Sequence, residues 1–216
     1  MRRRYILIAF FAIAGVMQAA AQELHIREVF KAMSDSVLPY ITANNRLDFI
    51  DFIDSHMEAN VTNALGGQSQ MEQLTDHYLR IKLSPASTVE LRLLPVGELV
   101  DSASQIICMV QTYGTVAKES RVTFYTTRWH QLDGSQYFSV QPQSLLHRPA
   151  TVPVERYQEL CAALTPLMMV AHLSADGNTM DITLSNHIPV EQDREEAKAI
   201  ILQTTLKWNG KMFNKN

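Results

Sequence analysis

Cysteine is scarce in this sequence, which has two among its 216 residues, Cys108 and Cys161. A disulfide-rich scaffold is therefore excluded. Both cysteines stand in apolar surroundings, so in an oxidising compartment they could form one disulfide, or they could be two small buried hydrophobic side chains. Neither lies near residue 21, which also excludes a lipid-modified cysteine at the start of an exported chain.

Motifs that hold metals, phosphates or nucleophiles are missing as well. The seven histidines show no His-x-His, His-Glu-x-x-His or Cys-x-x-Cys spacing, which leaves zinc without support. Gly66-Gly67-Gln68 lacks the lysine and the serine or threonine of a phosphate-binding loop, and no Gly-x-Ser-x-Gly motif is present. We therefore predict no metal and no cofactor, and the sequence identifies no catalytic residue. A hydrolase site assembled from distant residues is the alternative.

Positive charge and long apolar runs are scarce too. The chain has 19 basic and 22 acidic residues, and without Arg2, Arg3 and Arg4 its formal charge moves from −3 to −6. This balance argues against nucleic acid and anionic lipid as partners. No apolar run after the N-terminus reaches about 18 residues, so no transmembrane segment is expected in the mature chain.

The N-terminus has the three parts of an export leader. Arginines at 2–4 form a basic head, residues 5–17 are an apolar run too short to span a bilayer, and Ala19-Ala20-Ala21 is a small-residue cleavage site. The pattern predicts a signal peptide over residues 1–21 and a mature chain that begins near Gln22. We expect a periplasmic or secreted protein.

Residues 45–58 carry the clearest helical pattern of the chain. Asn45 is the expected N-cap, with Asp48 in the position that completes a capping box. An apolar stripe follows at helical spacing and is widened by two aromatic residues; its members are Leu47, Phe49, Ile50, Phe52, Ile53 and Met57. We expect this helix to organise the core, preceded by a helix over residues 25–38 that Pro39 ends.

From residue 79 the spacing of apolar residues changes from the period of a helix to that of a strand. Residues 79–83 and 89–93 predict an antiparallel hairpin with one wet face, in which Glu90 lies opposite Lys82 or Arg80. Residues 105–113 are almost continuously apolar and predict a central strand. In residues 121–129, Val122 and Phe124 alternate with Tyr125 and Trp129, and residues 137–140 are a candidate edge. The expected sheet is a meander of four or five strands.

A second unit is predicted after residues 141–152, which are rich in proline and are the candidate boundary. A helix begins at Pro153 and ends before Pro166, strands over 167–173 and 179–184 flank the Asp176-Gly177 turn, and residues 191–198 are a short helix or a loop. A last strand, residues 200–208, turns back at Asn209-Gly210. The fold class is α+β, with two successive helix-plus-antiparallel-sheet units over residues 22–140 and 153–216.

Two short patterns occur in both units. Leu83-Ser84, a turn and residues 88–91 correspond to Leu173-Ser174, a turn and residues 179–182, and residues 126–129 correspond to 204–208. A degenerate internal duplication and a chance match between amphipathic strands both remain open.

Three groups of residues are candidates for a site, and each has a structural explanation. Asp48, Asp51, Asp54 and Glu58 could gather a cation, but a solvated helix face is the more common reason for such spacing. His172 is expected to be a hydrogen-bonded core histidine. Tyr125, Trp129, Tyr137 and Trp208 could contact a sugar or a protein, although strand aromatics more often pack in the core.

Several segments together resemble an uncharacterised family of exported Bacteroidales proteins, domain of unknown function 3256. They are residues 44–52, residues 61–67, Tyr78-Leu79, Cys108-Met109-Val110, Thr112-Tyr113-Gly114 and residues 208–213. The resemblance covers nearly the whole mature chain and implies a Gram-negative envelope, with no activity or catalytic residue to transfer. The repeated helix-then-meander order is similar to small envelope proteins of the β-lactamase-inhibitor-like type, as an analogy of fold alone.

The sequence therefore predicts a binding or structural module of the cell envelope whose partner is an envelope protein or a glycan. A deep polar cleft with a histidine and a carboxylate in hydrogen-bond reach would favour the hydrolase instead. A shallow aromatic or apolar patch would favour binding.

Overall fold

The computed structural model describes residues 24–215, so the predicted leader and cleavage site lie outside the described residues. The helices are α1 (Ile26–Lys31), α2 (Ala43–Asp54), α3 (Val154–Ala163) and α4 (Glu191–Ala197). Single 3-10 turns occupy Gly134–Gln136 and Pro142–Leu145. None of the helices in this range is long and apolar enough to cross a membrane.

The first sheet is an antiparallel meander of six strands in sequence order. Its strands are β1 (Asn60–Thr62), β2 (Gln68–Leu74), β3 (Tyr78–Ser84), β4 (Ser87–Val100), β5 (Ala103–Tyr113) and β6 (Glu119–Thr126). The prediction of four or five strands missed β1 and β2, which are polar. They pair around a turn in which the Asn63 side chain accepts hydrogen bonds from the N–H groups of Leu65 and Gly67. Residues 137–140, expected as an edge strand, are irregular.

The β3–β4 register resolves the two alternatives in favour of Arg80, which lies opposite Glu90. The expectation of one wet face is wrong, because Glu90 and Arg92 are buried. Arg92 reaches the β7–β8 turn of the second sheet, where its guanidinium donates to the carbonyls of Ser174 and Ala175 and to Asn178 Oδ1. The second sheet therefore covers this part of the first.

The second sheet has four antiparallel strands in the order β10-β9-β8-β7. They are β7 (Met169–Leu173), β8 (Thr179–Leu184), β9 (Thr204–Trp208) and β10 (Phe213–Lys215), and the predicted turns at 176–177 and 209–210 are confirmed. Residues 191–198 resolve as α4. The last long strand begins at Thr204 instead of residue 200, because Ile200 and Ile201 bond back to Ala197 and extend the end of α4. Together the two sheets and four helices confirm the α+β class, while the unit bounds and the duplication stay predictions.

Helix α2 starts three residues earlier than predicted. Thr42 is the N-cap, its Oγ1 accepting the Asn45 N–H at 3.2 Å, and Asn45 is the reciprocal partner whose Oδ1 accepts the Thr42 N–H at 3.2 Å. Thr42 and Asn45, three residues apart, thus form the capping box that the sequence pattern predicted for Asn45 and Asp48. On the helix, Phe49 and Ile50 are buried, while Leu47 and Met57 of the predicted stripe are exposed.

Arg46 is buried, and its contacts lie where α2 and the end of α1 differ from the prediction. Arg46 Nη1 donates to Asp35 Oδ1 and to the Ile41 carbonyl, both at 2.8 Å, and Nη2 donates to the Met33 carbonyl at 2.5 Å. These carbonyls are available because α1 ends at Lys31 and not near residue 38. The guanidinium therefore organises the connection between the two helices.

Three hydrophobic clusters form the core. The first lies between α1, α2 and one face of the six-stranded sheet and includes Trp129; the second lies between the two sheets and includes Phe124 and Trp208. The third joins α3 and α4. Val122 and Tyr125 thus pack on opposite sides, as their alternation predicts. Cys108 and Cys161 are free thiols, so they do not form a disulfide.

Candidate functional site

A cavity of about 350 Å³ opens where β4, the Gly134–Gln136 turn and the β9–β10 turn meet. We call it the bulge cavity. Its walls are three short, irregular segments of backbone instead of regular strand faces. It is lined by Val96, Gly97, Glu98, Val100, Gln136, Tyr137, Asn209, Gly210 and Lys211.

An interruption in the β4–β5 pairing shapes one wall. Pro95 pairs with Gln105 and Val100 pairs with Ala103, so residues 96–99 face Ser104 alone. A two-residue turn then closes the hairpin with both central residues at positive φ, Asp101 at 51° and Ser102 at 66°. Proline cannot donate to a ladder, and extra residues on one strand bend it, so this part of β4 bulges away from β5 and forms a rim.

The β9–β10 turn forms the opposite wall. Asn209 Oδ1 accepts hydrogen bonds from the N–H groups of Lys211 and Met212, and Gly210 adopts a left-handed φ of 88° that glycine tolerates best. The two walls meet where the Gly97 N–H donates to the Gly210 carbonyl at 3.0 Å. The cavity is therefore closed on one side by backbone that its own residues hold in place.

One aromatic residue, Tyr137, belongs to the lining, and other rings pack against it. The Tyr137 ring lines the cavity and lies 5.0 Å from the Phe124 centroid and 6.2 Å from that of Trp208, which in turn lies 5.2 Å from Phe213. Trp208 is only 8 % exposed, and its indole N–H donates to the Pro95 carbonyl at 2.6 Å. Trp208 therefore packs in the core, the more common place for strand aromatics, and Tyr137 is the aromatic residue of the cavity lining.

The cavity lining also contains one acidic and one basic side chain. Glu98 and Lys211 line the cavity, and neither makes an ion pair with another described residue. The Gln136 and Asn209 side chains add amide groups. The lining thus combines an aromatic ring with hydrogen-bond donors and acceptors, a combination typical of small-molecule sites.

A second group of chemistry-bearing residues, which we call the Glu90 junction, lies where the two sheets meet. Glu90 is 2 % exposed, and its Oε2 accepts the Leu173 N–H at 2.7 Å. Its Oε1 accepts from Arg80 Nη1 at 3.1 Å and from His172 Nδ1 at 3.2 Å. His172 is hydrogen-bonded as predicted, but its side chain is about half exposed and not in the core.

The Glu90 junction pairs a histidine with a carboxylate, yet it lacks the other parts of a hydrolytic site. No hydroxyl or thiol among residues 24–215 hydrogen-bonds to the second ring nitrogen of His172. Cys108 lies on the same sheet face, but burial raises the pKa of its thiol well above the usual value. Burial likewise raises the pKa of Tyr78, beside Arg80, to about 12. The junction therefore supplies no activated nucleophile.

The geometry of the junction explains its structural role. β7 is an edge strand of the second sheet, and its outward N–H groups need partners. Glu90 accepts that of Leu173, and Ser120 Oγ accepts that of Ala171 at 3.0 Å. Side chains of the first sheet thus take the place of the missing neighbouring strand.

The remaining sequence candidates are dispersed. Asp48 and Asp51 are exposed, and Asp54 pairs with Arg27 at 2.9 Å, a hydrogen bond that lowers the pKa of Asp54. Within the described range, no three or more His, Cys, Asp or Glu side chains are grouped to hold a metal ion. Trp129 is packed, with its indole N–H on the Val29 carbonyl at 2.9 Å.

Sequence reasoning named Tyr137 and the Asn209-Gly210 turn but did not bring them together. It missed the β4 rim, although Pro95 and Gly97 within an otherwise strand-like run were a signal for a bulge.

Comparisons with known proteins identify relatives and no activity. The family described as Protein of unknown function (DUF3256) matches residues 16–213. A solved structure, a domain of an uncharacterized protein from Porphyromonas gingivalis W83, is similar with a TM-score of 0.74 and 24 % identity, covering 90 % of this chain and 99 % of that one. At this identity the likeness shows the fold alone. No curated protein matches the chain.

Proposed function

The chain belongs to the DUF3256 family, and we propose that it is an exported envelope protein that binds a glycan without chemical turnover. The proposal rests on this family membership, on the leader-like N-terminus and on the bulge cavity. The observation that carries the proposal is the cavity lined by Tyr137 and by amide and charged side chains.

Carbohydrate chemistry fits this lining. A sugar ring presents an apolar C–H face that packs on an aromatic ring, and hydroxyls at its edge that hydrogen-bond with side chains able both to donate and to accept. Tyr137 supplies the first kind of surface, and Gln136, Asn209, Glu98 and Lys211 supply the second. The volume of the cavity, about 350 Å³, lies in the range of small-molecule sites.

Titration calorimetry with neutral disaccharides, chitobiose and maltose among them, tests this proposal. We expect a Kd at or below about 1 mM for at least one of them, as for a shallow site with one stacking ring. Tyr137→Ala should weaken binding about fivefold to tenfold, the worth of one aromatic contact. Tyr113→Ala, which removes a tyrosine outside the cavity, is the matched control. Equal affinities of the two variants, or no binding by any saccharide, would refute the glycan site.

The export part of the proposal has its own measurement. The basic head, short apolar run and alanine cluster support removal of residues 1–21 and a periplasmic or secreted location. Intact mass of the chain from the native host, taken from fractionated cells, should correspond to a start at or near Gln22. Recovery of the major species with Met1 attached would overturn both the cleavage site and the compartment.

A further inference from the structure

Three hairpin turns and the α1–α2 connection meet at one end of the molecule. The Gly114 N–H donates to the Ala86 carbonyl at 2.9 Å, which joins the β5–β6 turn to the β3–β4 turn. Asn63 Nδ2 donates to the Leu83 carbonyl at 3.3 Å, which joins the β1–β2 turn to the end of β3. The Ala64 N–H donates to the Tyr40 carbonyl at 3.0 Å and so adds the helix connection.

The tips of these turns carry apolar side chains, although turns usually carry polar ones. Leu65 is 74 % exposed and Val116 73 %, and Tyr40 and Tyr113 are 41 % and 46 % exposed. The pKa of Tyr113 is raised by burial and by the charge of Tyr40, and Arg121 opposes the shift. We call Tyr40, Leu65, Ala86, Tyr113 and Val116 the turn-tip surface.

We propose that the turn-tip surface docks on a phospholipid bilayer. Single apolar side chains on protruding turns can enter the boundary between headgroups and acyl chains, where burial of Leu65 and Val116 is favourable. Tyrosine rings with one polar end belong at the headgroup level, which suits the half-exposed rings of Tyr40 and Tyr113.

Charge near the tips fits the same occupant. Lys118 and Arg121 are exposed in and after the β5–β6 turn, against one acid there, Glu119. Two cations next to inserting side chains complement lipid phosphates. Because the chain without its arginine head is acidic overall, apolar insertion supplies the main attraction, and the cations orient the protein.

A second copy of the chain fits this surface less well. Stable protein interfaces bury roughly 800 Å² per partner around a packed apolar centre. The turn-tip surface has five side chains; one is an alanine and two are half-buried tyrosines. Its residues protrude separately on turns, whereas a bilayer accepts protruding side chains without matching concavities. The inference is independent of the ligand of the bulge cavity.

Flotation with phosphatidylcholine vesicles, and with vesicles that contain phosphatidylglycerol in addition, tests the proposal on the exported chain. The chain should float with both. The double variant Leu65→Asp, Val116→Asp should lose at least about tenfold in partition, while its circular dichroism melt stays unchanged because both positions are exposed. Leu99→Asp is the matched control, an exposed leucine on the β4–β5 hairpin, and should float like the unmodified chain.

A variant without the two cations separates the contribution of charge from that of apolar insertion. Lys118→Gln with Arg121→Gln should weaken binding severalfold on the anionic vesicles and little on the neutral ones. Absence of flotation with either vesicle would overturn the proposal, as would equal losses in Leu99→Asp and the double variant. A concentration-dependent dimer that Leu65→Asp, Val116→Asp abolishes would overturn it in favour of a second copy.

Discussion

Replacement of Glu90 tests the idea that this carboxylate substitutes for a missing neighbouring strand. Glu90→Ala leaves the buried Leu173 N–H without its acceptor, which costs about 1–3 kcal/mol, and removes the buried half of an ion pair with Arg80. Breaking a buried ion pair costs about 3–5 kcal/mol. The cost is smaller here because the Arg80 side chain is 34 % exposed, so that water solvates its charge and Glu72 still pairs with it. We expect a loss of about 3–4 kcal/mol in the free energy of unfolding.

Two further variants make this expectation specific. Glu90→Gln keeps the shape and one acceptor and should lose about 1–2 kcal/mol. Glu72→Ala removes the other carboxylate on Arg80, an exposed one 2.8 Å from Nε, and should lose about 1 kcal/mol or less. Urea melts with constant m-values give these differences. Amide hydrogen exchange at Leu173 should accelerate in Glu90→Ala and not in Glu72→Ala. Similar losses in both alanine variants would mean that surface charge, and not the covered strand edge, stabilises the junction.

Three further predictions, at residues 50 and 51, at Trp208 and at Cys108, test the core assignments. Ile50→Asp should cost several kcal/mol because it places an unpaired charge in the first cluster, whereas Asp51→Ala should change stability by roughly half a kcal/mol or less; similar denaturant midpoints would contradict the orientation of α2. Trp208→Ala should cost about 3–5 kcal/mol, and iodide should quench neither tryptophan strongly in the unmodified chain; strong quenching that Trp208→Phe abolishes would show an open indole. Cys108 should react with thiol reagents far more slowly than Cys161. Since burial raises its folded pKa, the stability it contributes should be complete below about pH 8.5 and fall as pH rises above that value, a fall that Cys108→Ala removes.

The sequence predicts best where one local pattern determines the outcome. Alternation of Val122 and Phe124 with Tyr125 places the side chains of β6 on two faces, and these belong to different clusters. The Asn209-Gly210 turn sets one hairpin of the second sheet because Gly210 has a φ of 88°, which few other residues adopt easily, and Asp176-Gly177 lies in the loop of the other hairpin.

Local pattern fails where a distant partner changes the environment. The alternation of β4 predicts that Glu90 faces solvent, but Leu173, on a strand 83 residues later, covers it. The helical pattern predicts that Arg46 lies on the polar side of α2, but its guanidinium is buried and donates to the carbonyls of residues 33 and 41. The bulge cavity combines segments near residues 97, 137 and 210, which no periodicity connects.

The covered edge of β7 also has a consequence for the order of assembly. Each hairpin of the first sheet closes a short loop, whereas the partners of the Ala171 and Leu173 N–H groups lie 51 and 83 residues away along the chain. Contacts between distant positions form slowly, because loop-closure entropy opposes them until several form together. We expect the meander to form first, with Glu90 and Ser120 in water, and the second sheet to dock late. A chain whose second sheet has not yet docked would then expose the edge of β7 to other chains for most of its folding time, and variants that slow docking should aggregate before they lose equilibrium stability.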